Sequence, residues 1–262
     1  MKRNLYLKLA IGFLVYILAV LVPVYLFPPA ANATHSIPVI LLLFVLAAAA
    51  VVVPEMLLFK SSLPEALRNV GIGRPRWSVI LVALLITLPL LLYFPLFSLI
   101  TRLPLVLYGD WPYRLLTVAL MQGITEEIMF RGYIFGHLRA GRSFRRAAAV
   151  SALFFGLAHL HLFTILDPVV AAIATLLAVV SHFPFAYLYE RGRNTIWAGS
   201  IVHIAATGLG GNIFVIPPEI FMTALSLFLL VTMISPYLAF LFFRRERDHH
   251  QPITSSPREV YT

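Results

Sequence analysis

Residues 37–59 read IPVILLLFVLAAAAVVVPEMLLF, and Glu55 is the only charged side chain among them. An α-helix needs about 20 apolar residues to cross the ~30 Å hydrocarbon core of a bilayer, and this run is long enough. An isolated apolar segment in lipid must satisfy its backbone hydrogen bonds internally, which only a helix can do. The stretch therefore predicts a transmembrane helix.

The composition of the whole chain agrees with this prediction. Of its 262 residues 60% are hydrophobic and only 12% are charged, whereas a water-soluble domain has roughly 45–50% apolar and about 25% charged residues. So few charges could not cover a surface in water. The chain has no cysteine, which excludes disulfides, thiolate metal sites, a cysteine nucleophile and lipidation of its own cysteines. We therefore expect an integral membrane protein.

Further apolar runs predict an all-α, polytopic fold with about eight transmembrane helices. The predicted spans are residues 9–27, 37–59, 78–100, 114–138, 147–163, 169–189, 196–216 and 220–243. We expect residues 1–243 to form a single transmembrane domain. The polar residues 244–262 are expected to form a cytoplasmic tail without fixed structure.

The basic residues predict the orientation of the chain. It carries 20 Lys and Arg against 11 Asp and Glu, a net charge of +9. Under the positive-inside rule the loops richest in Lys and Arg face the cytoplasm. Both termini are then expected in the cytoplasm, and a functional site near the basic loops is expected towards the cytoplasmic side of the membrane, which is the cell membrane if the source is prokaryotic. The charge is therefore a topology signal, and we expect no nucleic-acid partner. The loop cations that carry this inference are Lys2, Arg3, Lys60, Arg68, Arg74, Arg76, Arg139, Arg142, Arg145, Arg146, Arg191 and Arg193.

The fourth span contains the sequence MQGITEEIMFRG at residues 121–132. Ionisable side chains inside a span are costly and face a partner or a cavity, so each is a functional hypothesis. Glu127 and Arg131 are four residues apart and can pair on one face of the helix. Glu126 lies about 100° further round the helix and is left for another role. The alternative is that both glutamates only bond neighbouring helices.

Two other spans contribute histidines, His159 in the fifth and His203 in the seventh. Counting ~1.5 Å per residue from the cytoplasmic ends puts Glu126 roughly 18 Å deep, His159 roughly 19 Å and His203 roughly 11 Å. Three helices would then bring a carboxylate and two imidazoles to the inner or middle part of the membrane. We interpret His182, in the sixth span, as a hydrogen-bonded core residue, with a cavity-lining role as the alternative.

With these residues the chain resembles the CPBP family of intramembrane proteases, which includes the type II CAAX prenyl endopeptidases. The family's first motif, Glu-Glu-x-x-x-Arg, is matched by Glu126, Glu127 and Arg131. Its second motif, Phe-x-x-x-His, is matched by Phe155 and His159. The two motifs occur in order on consecutive spans, and together they are specific.

The third family motif, His-x-x-x-Asn, is matched only in part. His203 fits, but Thr207 stands where the family has Asn, and the next asparagine is Asn212. A Thr hydroxyl can donate one hydrogen bond as an amide would, although its side chain is shorter. The similarity covers about residues 115–210, the core motif region of the predicted domain.

The resemblance implies an endopeptidase that hydrolyses peptide bonds of membrane-associated or lipid-modified, CAAX-like polypeptides. Glu126 would activate water, as a carboxylate shielded from solvent can do. His159 would assist it, and His203 with Thr207 would stabilise the oxyanion, a task for preorganised donors. Glu127 and Arg131 complete the expected set of site residues. The expected partners are the bilayer and the polypeptide substrate; the oligomeric state is not predicted.

The metal requirement and the class of function keep alternatives open. The family has been described both as metalloendopeptidases and as metal-free glutamate peptidases. Zinc, if present, would be held by Glu126, His159 and His203, but no His-Glu-x-x-His motif occurs and we favour metal-free catalysis. A non-catalytic immunity or sensor protein on the same scaffold is the alternative, which Thr207 favours. A proton-coupled transporter is a third interpretation, and the absence of internal repeats argues against it.

Overall fold

The computed structural model describes residues 2–26, 36–209 and 213–243. Within these residues the fold is helical apart from one short ribbon of two strands, which confirms the predicted all-α class. The predicted tail at residues 244–262 and Asn212 lie outside the described residues.

We number the elements in chain order. The first four helices are α1 (Lys2–Leu26), α2 (Ile37–Phe59), α3 (Leu63–Asn69) and α4 (Trp77–Thr101). A continuous helical run at residues 111–139 is α5. It is followed by α6 (Phe144–Ala158) with a 3₁₀ turn (His159–Thr164), α7 (Pro168–Arg191), α8 (Trp197–Gly208), α9 (Pro218–Ile234), a second 3₁₀ turn (Ser235–Leu238) and α10 (Ala239–Phe242).

Six helical segments of the described chain are long and apolar enough to cross a bilayer. They correspond to the six predicted spans outside the fourth and the seventh, and with the composition they make the chain an integral membrane protein. The total number of crossings and the side of the termini remain predictions. The six segments are Asn4–Pro23, Ile37–Phe59, Trp77–Thr101, Phe144–Thr164, Pro168–Arg191 and Pro218–Phe242.

The predicted seventh span, residues 196–216, is wrong in its extent. The helix there, α8, ends at Gly208 after 12 residues, about 18 Å of helix at 1.5 Å per residue. Residues Phe214–Val215 (β2) instead form an antiparallel ribbon with Val106–Leu107 (β1). An apolar run of β-branched and aromatic residues suits a strand as well as a helix, so hydropathy alone could not place this boundary.

The loops at the opposite end of the molecule are joined by specific contacts. The backbone N–H of Ile196 donates to the carbonyl of Gly71 at 3.1 Å, and the indole of Trp197 donates to the carbonyl of Gly73 at 2.7 Å. Arg139, at the end of α5, binds both carboxylate oxygens of Glu190 at 2.7 and 3.2 Å. The end of α5 is thus fixed to the end of α7, and the start of α8 is fixed to the turn that follows α3.

Helix α5 is the most enclosed part of the described fold. Every residue from Glu127 to Phe135 is buried, whereas the six apolar spans expose much of their surface. Helices α1, α2, α6, α7 and α8 surround this segment. Its polar motif is therefore shielded from lipid by protein, as ionisable groups at membrane depth require.

Candidate active site

Helix α5 has unusually wide turns on both sides of Glu126. Val118–Ile124 and Glu127–Phe135 both have π-helical, i→i+5 hydrogen bonding. Such turns are rare, are mostly single, and occur frequently at functional sites. The predicted catalytic carboxylate lies at the junction of the two segments.

Glu127 and Arg131 form the ion pair that their spacing predicts. Oε1 of Glu127 lies 2.9 Å from Nη1 of Arg131, and both side chains are 0% exposed. The guanidinium also lies between two aromatic rings, 4.6 Å from the centroid of Phe155 and 4.9 Å from that of Phe185. Aromatic faces attract a cation, and more strongly when water is excluded. The pair and the two rings hold the buried charge in one position.

Glu127 also contacts His203. Its Oε1 lies 3.0 Å from Nδ1 of His203. An ionised carboxylate can only accept, so Nδ1 carries a proton and donates it. The carboxylate therefore sets the tautomer and the ring orientation of His203, as carboxylates do for catalytic and metal-binding histidines. A Cβ atom on Gly199 would lie 2.6 Å from Oε2 of Glu127, so the absence of a side chain there makes room for this arrangement.

The second nitrogen of His203 faces Glu126. Its Nε2 lies 3.7 Å from Oε2 of Glu126, and the Glu126 side chain is 20% exposed. Glu126 is thus the accessible carboxylate of the adjacent pair. The depth estimate had put His203 well short of Glu126. It failed because α8 begins behind a loop whose Thr195 and Ile196 are buried, so the helix starts inside the protein.

His159 is the first residue of the 3₁₀ turn that follows α6. Its Nδ1 is 2.8 Å from the carbonyl oxygen of Phe155. A carbonyl can only accept, so Nδ1 carries the proton and Nε2 of the neutral ring holds a lone pair. The Phe155 ring packs against both histidines, at 4.6 Å from His159 and 6.5 Å from His203. The Phe155 ring is thus the contact that the two histidines share.

Thr207 lies one turn beyond His203, and its hydroxyl is already engaged. The Oγ1 donates to the carbonyl oxygen of His203 at 2.8 Å, a bond that Thr commonly makes to the preceding turn of its own helix. Its single proton is thus directed at the backbone. A donor role for Thr207 towards a substrate would require this bond to break.

Comparison with known proteins gives one match. Residues 108–209 match the family described as Type II CAAX prenyl endopeptidase Rce1-like. The matched segment, less than half of the chain, is thus similar to an Rce1-like domain. The match spans all six predicted site residues and confirms the resemblance inferred from the motifs. No curated protein and no solved structure matches the chain.

The Rce1-like family is a family of proteases, which supports a peptidase in general terms. The matched residues contain α5, α6, α7 and α8, the four helices that supply the site. Helices α1 to α4 and α9 lie outside the match, although α1 contacts the site from the other side. Its Tyr16 hydroxyl lies 3.3 Å from the hydroxyl of Thr125, the neighbour of Glu126.

The matched segment contains two residues near the site, Phe185 and His182, whose contacts the sequence did not reveal. Phe185 covers the guanidinium, but nothing distinguishes it from other aromatic residues of an apolar span. His182 is 0% exposed and lies against Phe155, with ring centroids 5.7 Å apart. Contrary to its interpretation as a hydrogen-bonded core residue, neither ring nitrogen has a hydrogen-bond partner among the described residues.

The three residues considered as zinc ligands do not form a ready metal site. Nε2 of His203 and Oε2 of Glu126 approach each other, but no group of three His, Cys, Asp or Glu side chains in the described chain is arranged to hold a metal ion. Tetrahedral zinc needs at least three protein ligands at about 2.0–2.2 Å. As arranged here, Glu126, His159 and His203 do not fit zinc, and no catalytic step below passes through a metal.

Proposed function

We propose that this protein is an intramembrane endopeptidase in which Glu126 activates water. The observation that carries the proposal is the contact between the accessible carboxylate of Glu126 and Nε2 of His203, at 3.7 Å. His203 is in turn oriented by the buried Glu127 and Arg131. Adjacent carboxylates in different environments can take different roles: Glu127 positions, and Glu126 reacts.

The reaction needs only groups of this chain, a water molecule and the substrate. Glu126 takes a proton from water, assisted by the Nε2 lone pair of His159. The hydroxide attacks the carbonyl carbon of the scissile peptide, and Nε2 of His203 donates to the resulting oxyanion. This requires the protonated imidazole, which the Glu127 carboxylate stabilises at Nδ1. The C–N bond then breaks and Glu126 returns its proton to the leaving amine.

The substrates we propose are polypeptides held at the membrane, including lipid-modified chains with a CAAX-like end. The site lies on helices of an integral membrane protein, so a lipid anchor or an apolar segment would bring the peptide bond to Glu126. The family description supports this class of substrate. We further propose cleavage towards the cytoplasmic side, because the basic loops mark that side. Thr207 in place of the family's Asn is the feature that favours the non-catalytic alternative, and the contacts of Glu126, Glu127 and His203 argue against it.

The test compares protein termini in membranes of cells that express wild-type chain, Glu126→Gln or Glu219→Gln. Glu219 is an exposed glutamate in the first turn of α9, away from the site, and serves as the matched control. We expect new termini with wild type and Glu219→Gln that are absent with Glu126→Gln. Identical termini in all three, at equal levels of folded protein, would overturn the proposal and favour the non-catalytic scaffold.

A further inference from the structure

The proposed reaction leaves the oxyanion one donor short. His203 supplies one donor, but the hydroxyl proton of Thr207 is directed at the carbonyl of His203. Oxyanion sites generally use more than one preorganised donor. A second donor should therefore lie next to His203, and the packing of α5 against α8 indicates where.

The two helices run antiparallel, and close approaches fix their register. Glu127 meets Gly199 and His203, and a side chain on Gly123 would overlap Ile204. Further along, Val118 is the side chain nearest to Gly208. Residue numbers on α5 thus fall as those on α8 rise. In this antiparallel pair, the position one turn before Glu126 on α5 is at the same height along the helix axes as the position one turn after His203 on α8.

Gln122 and Thr207 occupy those two positions. Gln122 precedes Glu126 by four residues, slightly less than one of the wide π-helical turns of α5, and Thr207 follows His203 by about one α-helical turn, so each lies near the face of its partner. Glu126 faces His203 at 3.7 Å, and the register puts Gln122 one turn along on the side of Thr207. Gln122 is half-buried. Its side-chain amide makes no hydrogen bond to another residue in the described part of the chain. An uncommitted amide in an apolar span is costly unless it has a function.

We propose that Gln122 is a catalytic residue whose side-chain amide N–H binds the carbonyl oxygen of the scissile peptide and the oxyanion formed from it. It would supply the donor that Asn supplies where the third motif is complete. No bond to Gln122 forms or breaks; the amide only hydrogen-bonds. The inference rests on the proposed function, and it assigns a specific chemical task to the turn before the Glu-Glu motif.

The experiment uses purified full-length protein in phosphatidylethanolamine–phosphatidylglycerol vesicles, with a synthetic peptide spanning the most abundant Glu126-dependent cut. The variants are Gln122→Met, which keeps the size but removes the donor, and Thr207→Asn, alone and combined with it. Ser181→Ala is the matched control, because Ser181 is half-buried and its hydroxyl donates to the carbonyl oxygen of Ala178 on its own helix at 3.1 Å. Folding is checked by thermal unfolding and size-exclusion chromatography.

We expect Gln122→Met to lower kcat about 100-fold with KM nearly unchanged, the effect of losing one oxyanion donor. Thr207→Asn should restore at least about 10-fold of that loss in the double variant. The role of Gln122 would be overturned if Gln122→Met had a near-normal kcat, or if Thr207→Asn did not restore the lost activity. The proposed function would be unaffected, because cleavage would still depend on Glu126. If wild type shows no Glu126-dependent cleavage of the peptide, the proposed function and this inference both fail.

Discussion

Glu126 and Glu127 are neighbours in sequence, yet the structure gives them different surroundings. Glu127 is 0% exposed and contacts Arg131 and His203, whereas Glu126 is 20% exposed and faces the far nitrogen of that histidine. A buried charge is tolerated when it is paired, and Glu127 meets this condition. Because one carboxylate is committed to holding the site together, the other is available for chemistry.

Gly199 offers a sensitive test of the contact between Glu127 and His203. A methyl group at position 199 would lie 2.6 Å from Oε2 of Glu127, so Gly199→Ala should displace the carboxylate and tilt His203. Misplacing a positioning group by about 1 Å can cost about 100-fold in rate. We expect kcat to fall by about this factor and the unfolding temperature to fall as well, because the displaced carboxylate is buried and paired with Arg131. Vesicle assays and thermal unfolding check both parts.

Gly141→Ala is the matched control for this prediction, because no atom lies within 4 Å of the position its methyl group would take. It should leave both kcat and stability unchanged. If Gly199→Ala were as active as wild type, the orientation of His203 by Glu127 would not matter for catalysis.

Metal dependence is a second prediction about individual residues. The described chain gathers no three-residue metal site, and the proposed mechanism uses only protein groups. We expect Glu126-dependent cleavage to continue in the presence of the zinc chelator 1,10-phenanthroline. We also expect it in purified protein that contains less than one zinc ion per chain, as measured by elemental analysis. Loss of activity with chelator and recovery on adding zinc would contradict the metal-free mechanism.

The sequence predicted the residues of the site better than their contacts. The spacing of Glu127 and Arg131 within one helix was sufficient to predict their ion pair. The contact of His203 with Glu127 joins two helices and depends on the buried loop before α8, which no local pattern encodes. Phe185 carried no signal, since an aromatic residue in an apolar span is ordinary.

Helix α5 packs closely against the turn after α3, with backbone in contact with backbone. A methyl group on Gly132 would overlap the carbonyl of Val70, in the turn after α3. A backbone oxygen cannot rotate away, so Gly132→Ala must separate the two elements. We expect a loss of about 1–3 kcal/mol or more in the free energy of unfolding, seen as a lower unfolding temperature in detergent. Gly141→Ala again serves as the control, and equal stability of the two variants would contradict this packing.

Element boundaries follow from the sequence only where composition changes sharply. The second span was predicted at residues 37–59, and α2 covers the same residues, because polar residues follow it at Lys60 and Ser61. The seventh span was predicted too long because apolar residues resume at Ile213, just before β2, after a short break of glycines and Asn212. The π-helical turns of α5 depend on tertiary packing, and no sequence pattern predicted them.

For the whole molecule, the absence of cysteine makes the predicted orientation easy to test. We expect a cysteine at Arg145, in the basic end of α6, to react with a membrane-impermeant maleimide only after cells are permeabilised. A cysteine at Gly109, where nothing lies within 4 Å, should react in intact cells. The reverse labelling pattern would show that the chain has the opposite orientation, with the basic loops outside the cell.

The most direct test of the central claim is the rate of peptide cleavage by purified Glu126→Gln in vesicles, beside wild type and Glu219→Gln. Gln keeps the size and polarity of the side chain but cannot take the proton from water. The account predicts that kcat falls at least about 1,000-fold in Glu126→Gln, at unchanged folded content, while Glu219→Gln matches wild type. Cleavage by Glu126→Gln at a rate near that of wild type would contradict it.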